Sequence, residues 1–299
     1  MKSFNQQIQY DLPNNISLVI KREDLLHPDI SGNKFRKLKY NIEKAKASGF
    51  TKLVTFGGAF SNHILATAAA GSVYDLATIG IIRGEELAFK IAENPTLSRA
   101  KELGMQLVFI PREAYQEKDS ESFLRDVKLK YSDAYLVPEG GTNPLAVKGC
   151  EEILTDEDAV FDYVCCAVGT GGTISGLINS SAENQKVLGF PALKGSFLFD
   201  DIRRFARNDN WNLIQGYEFG GYAKISPELV HFLNDFYEKT EIPLDPIYTG
   251  KMMFGILDMI RQGKFPEHSK IVAIHTGGLQ GIQGMNQHLL KKNLPIINY

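Results

Sequence analysis

Residues 31–40 are SGNKFRKLKY, and this stretch sets the frame for the rest of the 299-residue chain. Ser31, Gly32 and Asn33 are turn and helix-capping residues, so they predict a turn that leads into a helix. Lys34 would then project close to the unpaired N–H groups and the positive dipole end of that helix. Such a field disfavours the ammonium form, and a lysine that readily loses its proton can form an imine with an aldehyde. A solvated surface lysine fits the same stretch, so the other motifs have to distinguish the two.

The composition is that of an ordinary globular protein, with 43% hydrophobic and 23% charged residues. The formal net charge is -2 and both signs are interspersed, which predicts no partnership with nucleic acid or with an anionic membrane. The N-terminal segment shows no secretory signal, and no run of about 18 apolar residues could span a bilayer. The three cysteines, Cys150, Cys165 and Cys166, match neither a disulfide framework nor a metal site. We therefore expect a cytoplasmic protein with buried, reduced thiols and no bound metal.

Strands, glycine turns and helices alternate along the chain. An apolar strand at 53–56 meets Gly57 and Gly58, and Ser61 and Asn62 then open an alanine-rich helix. Residues 161–178, FDYVCCAVGTGGTISGLI, repeat this order. The alternation predicts a parallel, doubly wound α/β architecture in which the loops at the carboxyl ends of the strands gather around a ligand.

The glycine loop within 161–178 is nearly free of bulky side chains. Its residues are Gly169, Thr170, Gly171, Gly172 and Thr173. Several backbone N–H groups of such a loop can point at one anion, and the helix that follows adds its dipole. The loop has neither the Walker nor the dinucleotide-binding spacing. It indicates a phosphate site, although a tight turn without a ligand has the same sequence features.

Three further turns carry polar side chains: GGAFSNH at 57–63, YTGK at 248–251 and HTGG at 275–278. Each motif taken alone can be explained without a ligand, as a helix cap or as a polar residue that hydrogen-bonds the backbone. Together with Lys34 and the glycine loop, they supply what pyridoxal phosphate needs. These needs are a lysine for the imine, a loop for the phosphate and polar groups around the ring.

In this order the five motifs resemble those of the pyridoxal-phosphate enzymes of the tryptophan-synthase-β fold type. More narrowly, they are similar to the branch that holds 1-aminocyclopropane-1-carboxylate deaminase and D-cysteine desulfhydrase. The resemblance implies an α/β fold (type II) with two open, twisted, mostly parallel sheets flanked by helices. It also implies a larger cofactor-binding domain, residues 1–44 plus 146–299, and a smaller domain, residues 45–145. A small amino acid as substrate and a homodimeric assembly are further implications.

The resemblance assigns roles to individual residues. Lys34 is expected to carry the cofactor, and Asn62 to contact its ring hydroxyl. The loop at 169–173 is expected to bind the phosphate, with Thr249 and Thr276 also beside the cofactor. The expected catalytic residues are Lys34, Ser61, Tyr222 and Tyr248, and the expected substrate contacts are Ser61, Asn62 and His63.

The chain departs from the deaminase pattern at Thr249 and Thr276, where that pattern has glutamate and leucine, and at His63, where an amide is usual. A carboxylate at the ring nitrogen would keep it protonated and make the ring a strong electron sink, suited to opening a cyclopropane. A neutral threonine gives a weaker sink, which suffices when the β-carbon already carries a leaving group. We therefore predict a pyridoxal-phosphate lyase that converts D-cysteine, or a similar D-amino acid, to pyruvate, ammonia and the β-substituent.

Alternatives to this activity differ in chemistry. Within the family they are 1-aminocyclopropane-1-carboxylate deaminase and a serine or threonine dehydratase or racemase. Outside catalysis, a protein of the same fold could bind a phosphorylated metabolite as a sensor.

Overall fold

The computed structural model describes residues 3–195 and 197–299. Its strands form a six-stranded and a four-stranded sheet, both mostly parallel and flanked by helices, as predicted. The strands are β1 (Asn5–Gln7), β2 (Ser17–Lys21), β3 (Lys52–Gly57), β4 (Ala77–Arg83), β5 (Gln106–Ile110), β6 (Ala134–Leu136), β7 (Tyr163–Val168), β8 (Lys186–Pro191), β9 (Trp211–Leu213) and β10 (Lys270–Ile274).

The helices are α1 (Asn33–Ala47), α2 (Asn62–Tyr74), α3 (Pro95–Glu102), α4 (Arg112–Gln116), α5 (Glu121–Lys130), α6 (Pro144–Cys150), α7 (Gly172–Ser180), α8 (Phe197–Arg203), α9 (Pro227–Thr240), α10 (Thr249–Arg261) and α11 (Gly281–Lys291). Short 3-10 helices lie at Pro13–Asn15, Glu23–Leu25, Glu85–Glu93, Glu139–Gly141 and Asp156–Val160. Within the described part of the chain, every helix is too short or too polar to cross a bilayer.

The six-stranded sheet has the order β1-β2-β10-β7-β8-β9, and only β1 runs antiparallel to its neighbour. Its central strands β10, β7 and β8 are buried over all but their first residues because helices cover both faces. Helices α9, α10 and α11 share one core cluster with this sheet, and α6, α7 and α8 share another. Cys150, Cys165 and Cys166 are buried and free, as predicted.

The four-stranded sheet has the order β5-β4-β3-β6 and is parallel throughout. Its strands all fall within residues 45–145, while those of the larger sheet fall outside that range. Helix α1 packs Leu38 and Ile42 against Leu53 of β3 and Ala66 of α2, so it contributes to the core of the smaller sheet. The exact domain boundaries therefore stay a prediction.

Candidate active site

A cavity of about 260 Å³ opens where the loops after strands of both sheets meet the start of α1. Nearly all of the predicted site residues line it. These are Lys34, Ser61, Asn62, His63, Gly169, Thr170, Gly171, Gly172, Thr173, Tyr222, Tyr248 and Thr276. Thr249 is the predicted site residue that does not line the cavity.

Lys34 lies in the first turn of α1, as the sequence predicted, and is half-buried at the cavity wall. The helix can begin here because Gly32 has a φ of 60° and no side chain. A Cβ at Gly32 would lie 2.0 Å from the carbonyl oxygen of Thr276, closer than any atoms can approach without a bond. Burial, and next the ammonium of Lys37, lower the pKa of Lys34 well below its usual value. The amine is therefore poised to react as a nucleophile.

The glycine loop delivers the chain from β7 into α7, whose N-cap Gly171 has a φ of 79° and offers no side-chain cap. By contrast, Ser61 caps α2 with its side chain. The first N–H groups of an uncapped helix lack partners within the helix. Since Gly172 and Thr173 line the cavity, these N–H groups and the helix dipole favour an anion there.

Lys37 is a functional candidate that the motifs alone do not reveal. Its side chain is only 2% exposed, and Nζ donates to Gly140 O (3.0 Å), Thr142 Oγ1 (2.9 Å) and Thr170 Oγ1 (3.3 Å). No carboxylate pairs with it within residues 3–195 and 197–299. A Cβ at Gly172 would lie 3.2 Å from Nζ, so an uncompensated cation sits against the glycine loop. The sequence feature that could have identified Lys37 is its position three residues after Lys34, which places both side chains on one face of the helix.

Asn62 lines the cavity and carries a hydrogen-bond donor that has no partner in the described chain. Its Oδ1 accepts a hydrogen bond from Nε2 of Gln280, whereas its Nδ2 makes none within the described chain. A Cβ at Gly278 would lie 2.8 Å from Nδ2, so the amide passes directly over this glycine. Ser61, next to it, accepts the N–H of Ile64 at 3.3 Å and keeps its own hydroxyl hydrogen free for a ligand.

Tyr222 and Tyr248 both line the cavity and lie next to each other. Tyr248 packs on the glycine loop, since a Cβ at Gly169 would lie 3.1 Å from its ring. Burial raises the pKa of Tyr248 well above its usual value, so its hydroxyl stays protonated. Tyr222 meets it edge-on with ring centroids 6.2 Å apart and, at 43% exposure, marks the mouth of the cavity.

The segment that carries Tyr222 is held by Lys251, the lysine of the YTGK motif. Its Nζ donates to the carbonyls of Glu218 and Gly221, both at 2.8 Å. Burial lowers the pKa of Lys251 to about 8. This lysine thus fixes the mouth of the cavity rather than facing a ligand.

His63 is 1% exposed and lines the cavity beside Gly141, where a Cβ would lie 2.9 Å from its ring. Its Nε2 lies 2.8 Å from Thr55 Oγ1, and that hydroxyl donates to Val137 O, so the ring donates from Nε2. Its buried Nδ1 has no partner in the described chain. Burial, and next Lys34 and Lys37, lower the pKa of His63 well below its usual value, which keeps the ring neutral.

The structure corrects the expected position of Thr249. Its hydroxyl donates to Asp245 Oδ2 at 2.7 Å, and its oxygen accepts the N–H of Asp245 at 2.9 Å, so the side chain turns away from the cavity. The reason is the start of α10, where the Asp245 carboxylate also accepts the N–H groups of Ile247, Tyr248 and Thr249. Asp245 lies just before the YTGK motif, and the motif itself does not assign it a role.

The carboxylates near the cavity are all engaged. Asp245 is saturated by the start of α10 and does not line the wall. Among the described residues, Glu139 is the one acidic side chain on the wall. It accepts the hydroxyl of Tyr115 at 2.6 Å and lies 3.3 Å from the amine of Lys118. The described residues of the cavity wall therefore present cations and neutral donors to a ligand, with no free carboxylate.

Comparison with known proteins gives consistent matches over most of the chain. The profile of a family described as pyridoxal-phosphate dependent enzyme matches residues 7–277. A putative 1-aminocyclopropane-1-carboxylate deaminase of Pyrococcus horikoshii is 31% identical, over 92% of this chain and 89% of its own. A bifunctional D-cysteine desulfhydrase/1-aminocyclopropane-1-carboxylate deaminase, mitochondrial, of Arabidopsis thaliana is 31% identical, over 91% of this chain and 74% of its own. The crystal structure of an ACC deaminase homologue superposes with a TM-score of 0.80 at 28% identity, covering 97% of this chain and 94% of that one.

Proposed function

Because the chain belongs to the family of pyridoxal-phosphate dependent enzymes, we propose that its cavity carries out β-elimination and deamination of a small D-amino acid. D-Cysteine is the substrate we favour, with pyruvate, ammonia and sulfide as products. When bound, the cofactor withdraws electrons from the Cα of an amino acid. The observation that carries the choice of substrate is the absence of a free carboxylate on the cavity wall among the described residues.

The residues on the wall fit the cofactor. The uncapped start of α7 and the buried ammonium of Lys37 suit its phosphate, since both favour an anion at one place. Lys34 is the amine that would hold it covalently, and its lowered pKa suits that role. The unpartnered Nδ2 of Asn62 would donate to the ring oxygen, and Tyr248 would lie beside the ring.

The absence of a free carboxylate among the described residues of the cavity wall supports elimination over ring opening. Without a negative partner, the ring nitrogen of a bound cofactor would not be held protonated, and the ring would withdraw electrons less strongly. Thr276 lines the cavity as a neutral side chain, and Thr249 is committed to Asp245. A substrate whose β-carbon carries sulfur already has a leaving group and needs less electron withdrawal. A cyclopropane has none, so this geometry favours elimination.

Three side chains of the cavity wall are suited to accept a proton from the substrate or to donate a hydrogen bond to it. Lys34, when it is not bound to the cofactor, could take the Cα proton, because its lowered pKa favours the neutral amine that this role requires. Because its pKa is raised, Tyr248 keeps its hydroxyl hydrogen and can donate a hydrogen bond to the departing sulfur. Ser61 retains its hydroxyl hydrogen for the carboxylate of the substrate. We also propose contacts of His63 with the substrate and of Tyr222 with the cavity mouth when substrate is bound.

Product analysis tests this proposal. The purified, cofactor-loaded protein is incubated separately with D-cysteine, L-cysteine and 1-aminocyclopropane-1-carboxylate, and the keto acids are separated. We expect pyruvate and sulfide from D-cysteine at the highest rate. Faster formation of 2-oxobutyrate from the cyclopropane would instead establish the second candidate, the deaminase, which is the activity in the names of the similar proteins. No turnover of any amino acid would favour the non-catalytic binding protein.

The attachment site, the assembly and the location have separate tests. Borohydride reduction followed by peptide mass mapping should find the cofactor on Lys34, and Lys34→Ala should abolish the adduct. We propose a cytoplasmic homodimer, which rests on the resemblance and on the composition. Sedimentation and cell fractionation check these two points.

A further inference from the structure

Gln280 lies between β10 and α11 and is the first residue before that helix. Its Nε2 donates a hydrogen bond to Oδ1 of Asn62, which lies 218 residues earlier in the chain. Asn62 opens α2 behind a strand of the smaller sheet, whereas Gln280 follows a strand of the larger one. This side-chain bond therefore joins the two sheets at the edge of the cavity.

The approach of α11 to the GGAFSNH turn is close enough to keep this bond in place. A Cβ at Gly284, within α11, would lie 2.5 Å from the ring of Phe60. The phenylalanine of the turn thus rests directly on the helix backbone. Both Gln280 and Asn62 are partly buried beside this contact.

The bond determines which end of the Asn62 amide meets a ligand. An asparagine amide has an accepting oxygen and a donating nitrogen of nearly the same shape, so sterics alone do not fix its orientation. Gln280 takes the oxygen, and Nδ2 lies beside Gly278 without a partner in the described chain, while Asn62 itself lines the cavity.

We propose that Gln280 is a positioning residue, which orients Asn62 so that its N–H, and not its carbonyl, faces the ring oxygen of the cofactor. This inference rests on the contact proposed above between Asn62 and the cofactor. With the opposite orientation, two oxygens would face each other and the contact would become repulsive.

The test measures the dissociation constant of pyridoxal phosphate in a Lys34→Ala background, where no covalent bond masks the hydrogen bonds. Gln280→Ala should weaken binding about 5-fold, the effect of losing one ordinary hydrogen bond. Gln280→Glu should weaken it more, by about 10-fold or greater, because a carboxylate only accepts and turns the Asn62 nitrogen toward itself. Gln283→Ala, an exposed glutamine of the same helix, is the matched control and should bind as the parent does.

A double-mutant cycle shows whether Gln280 acts through Asn62. Asn62→Ala should weaken cofactor binding by itself, and adding Gln280→Ala should cause no further loss. Affinity for inorganic phosphate should be the same in every variant, since the phosphate end is untouched.

Three outcomes would overturn the inference. One is Gln280→Ala binding within about 2-fold of the parent, which is smaller than a lost hydrogen bond. Another is a Gln280→Ala effect that persists in full without Asn62. If Asn62→Ala itself binds normally, the proposed contact of Asn62 fails first, and the role of Gln280 fails with it. Product analysis with the unmodified enzyme is unaffected by any of these results and judges the proposed reaction separately.

Discussion

Replacing Lys37 with methionine tests whether this lysine binds an anion at the glycine loop or instead stabilises the fold. Methionine keeps the apolar stem and removes the ammonium, which is 2% exposed and has no carboxylate partner within the described chain. Hydrogen bonds between charged groups are worth about 1.5–3 kcal/mol. Taking about 2 kcal/mol, the dissociation constants of pyridoxal phosphate and of inorganic phosphate should rise about 30-fold.

The same substitution should leave the stability of the cofactor-free protein nearly unchanged. Burial lowers the pKa of Lys37, which means that the folded state binds this proton less tightly than the unfolded chain. The charged lysine therefore costs folding free energy at neutral pH. Its loss leaves few unsatisfied partners, because the hydroxyls of Thr142 and Thr170 also bond each other at 2.6 Å. We expect a change of less than about 1 kcal/mol in the free energy of unfolding, within the range of one neutral hydrogen bond.

Isothermal titration of the cofactor-free protein and urea unfolding measure the two quantities. Lys44→Met, an exposed lysine on the same helix, controls for the loss of one positive charge and should change neither. Phosphate affinity equal to that of the parent would refute the placement of the anion at Lys37. A large loss of stability with unchanged affinity would show that the lysine is a structural residue.

Three other substitutions test separate parts of the site. Folding lowers the pKa of His63, so the protein should lose stability as pH falls below the pKa of this histidine in the unfolded chain. His63→Gln should therefore remove part of the loss of stability between about pH 8 and about pH 5. Urea unfolding at both pH values measures this difference. Gly32→Ala should destabilise the fold by more than about 3 kcal/mol, since its Cβ overlaps the backbone of Thr276; denaturation that matches the parent would contradict this close contact. Lys251→Met should loosen the segment before Tyr222, with faster proteolysis there and about 10-fold lower kcat/KM, while cofactor affinity stays the same.

The parts of the site that were predictable are those set by local sequence. A glycine that admits a close backbone approach, and a polar residue that opens a helix, leave their signature within a few residues of the chain. Thus Lys34 lies in the first turn of α1, and Ser61 caps α2, as the sequence predicted. The glycine loop before α7 likewise joins a buried strand to an uncapped helix.

The remaining features depend on contacts between distant segments, which no local pattern specifies. Thr249 was expected at the cavity because of its motif, yet Asp245 competes for its hydroxyl and the start of α10 needs that carboxylate. The hydrogen bond from Gln280 to Asn62 exists only because two different sheets bring their loops together. A motif therefore identifies which side chains reach the cavity region, whereas their orientation is decided by the partners that folding supplies. For this site the difference matters, since the orientation of one amide and the engagement of one carboxylate determine how the cofactor ring would be polarised.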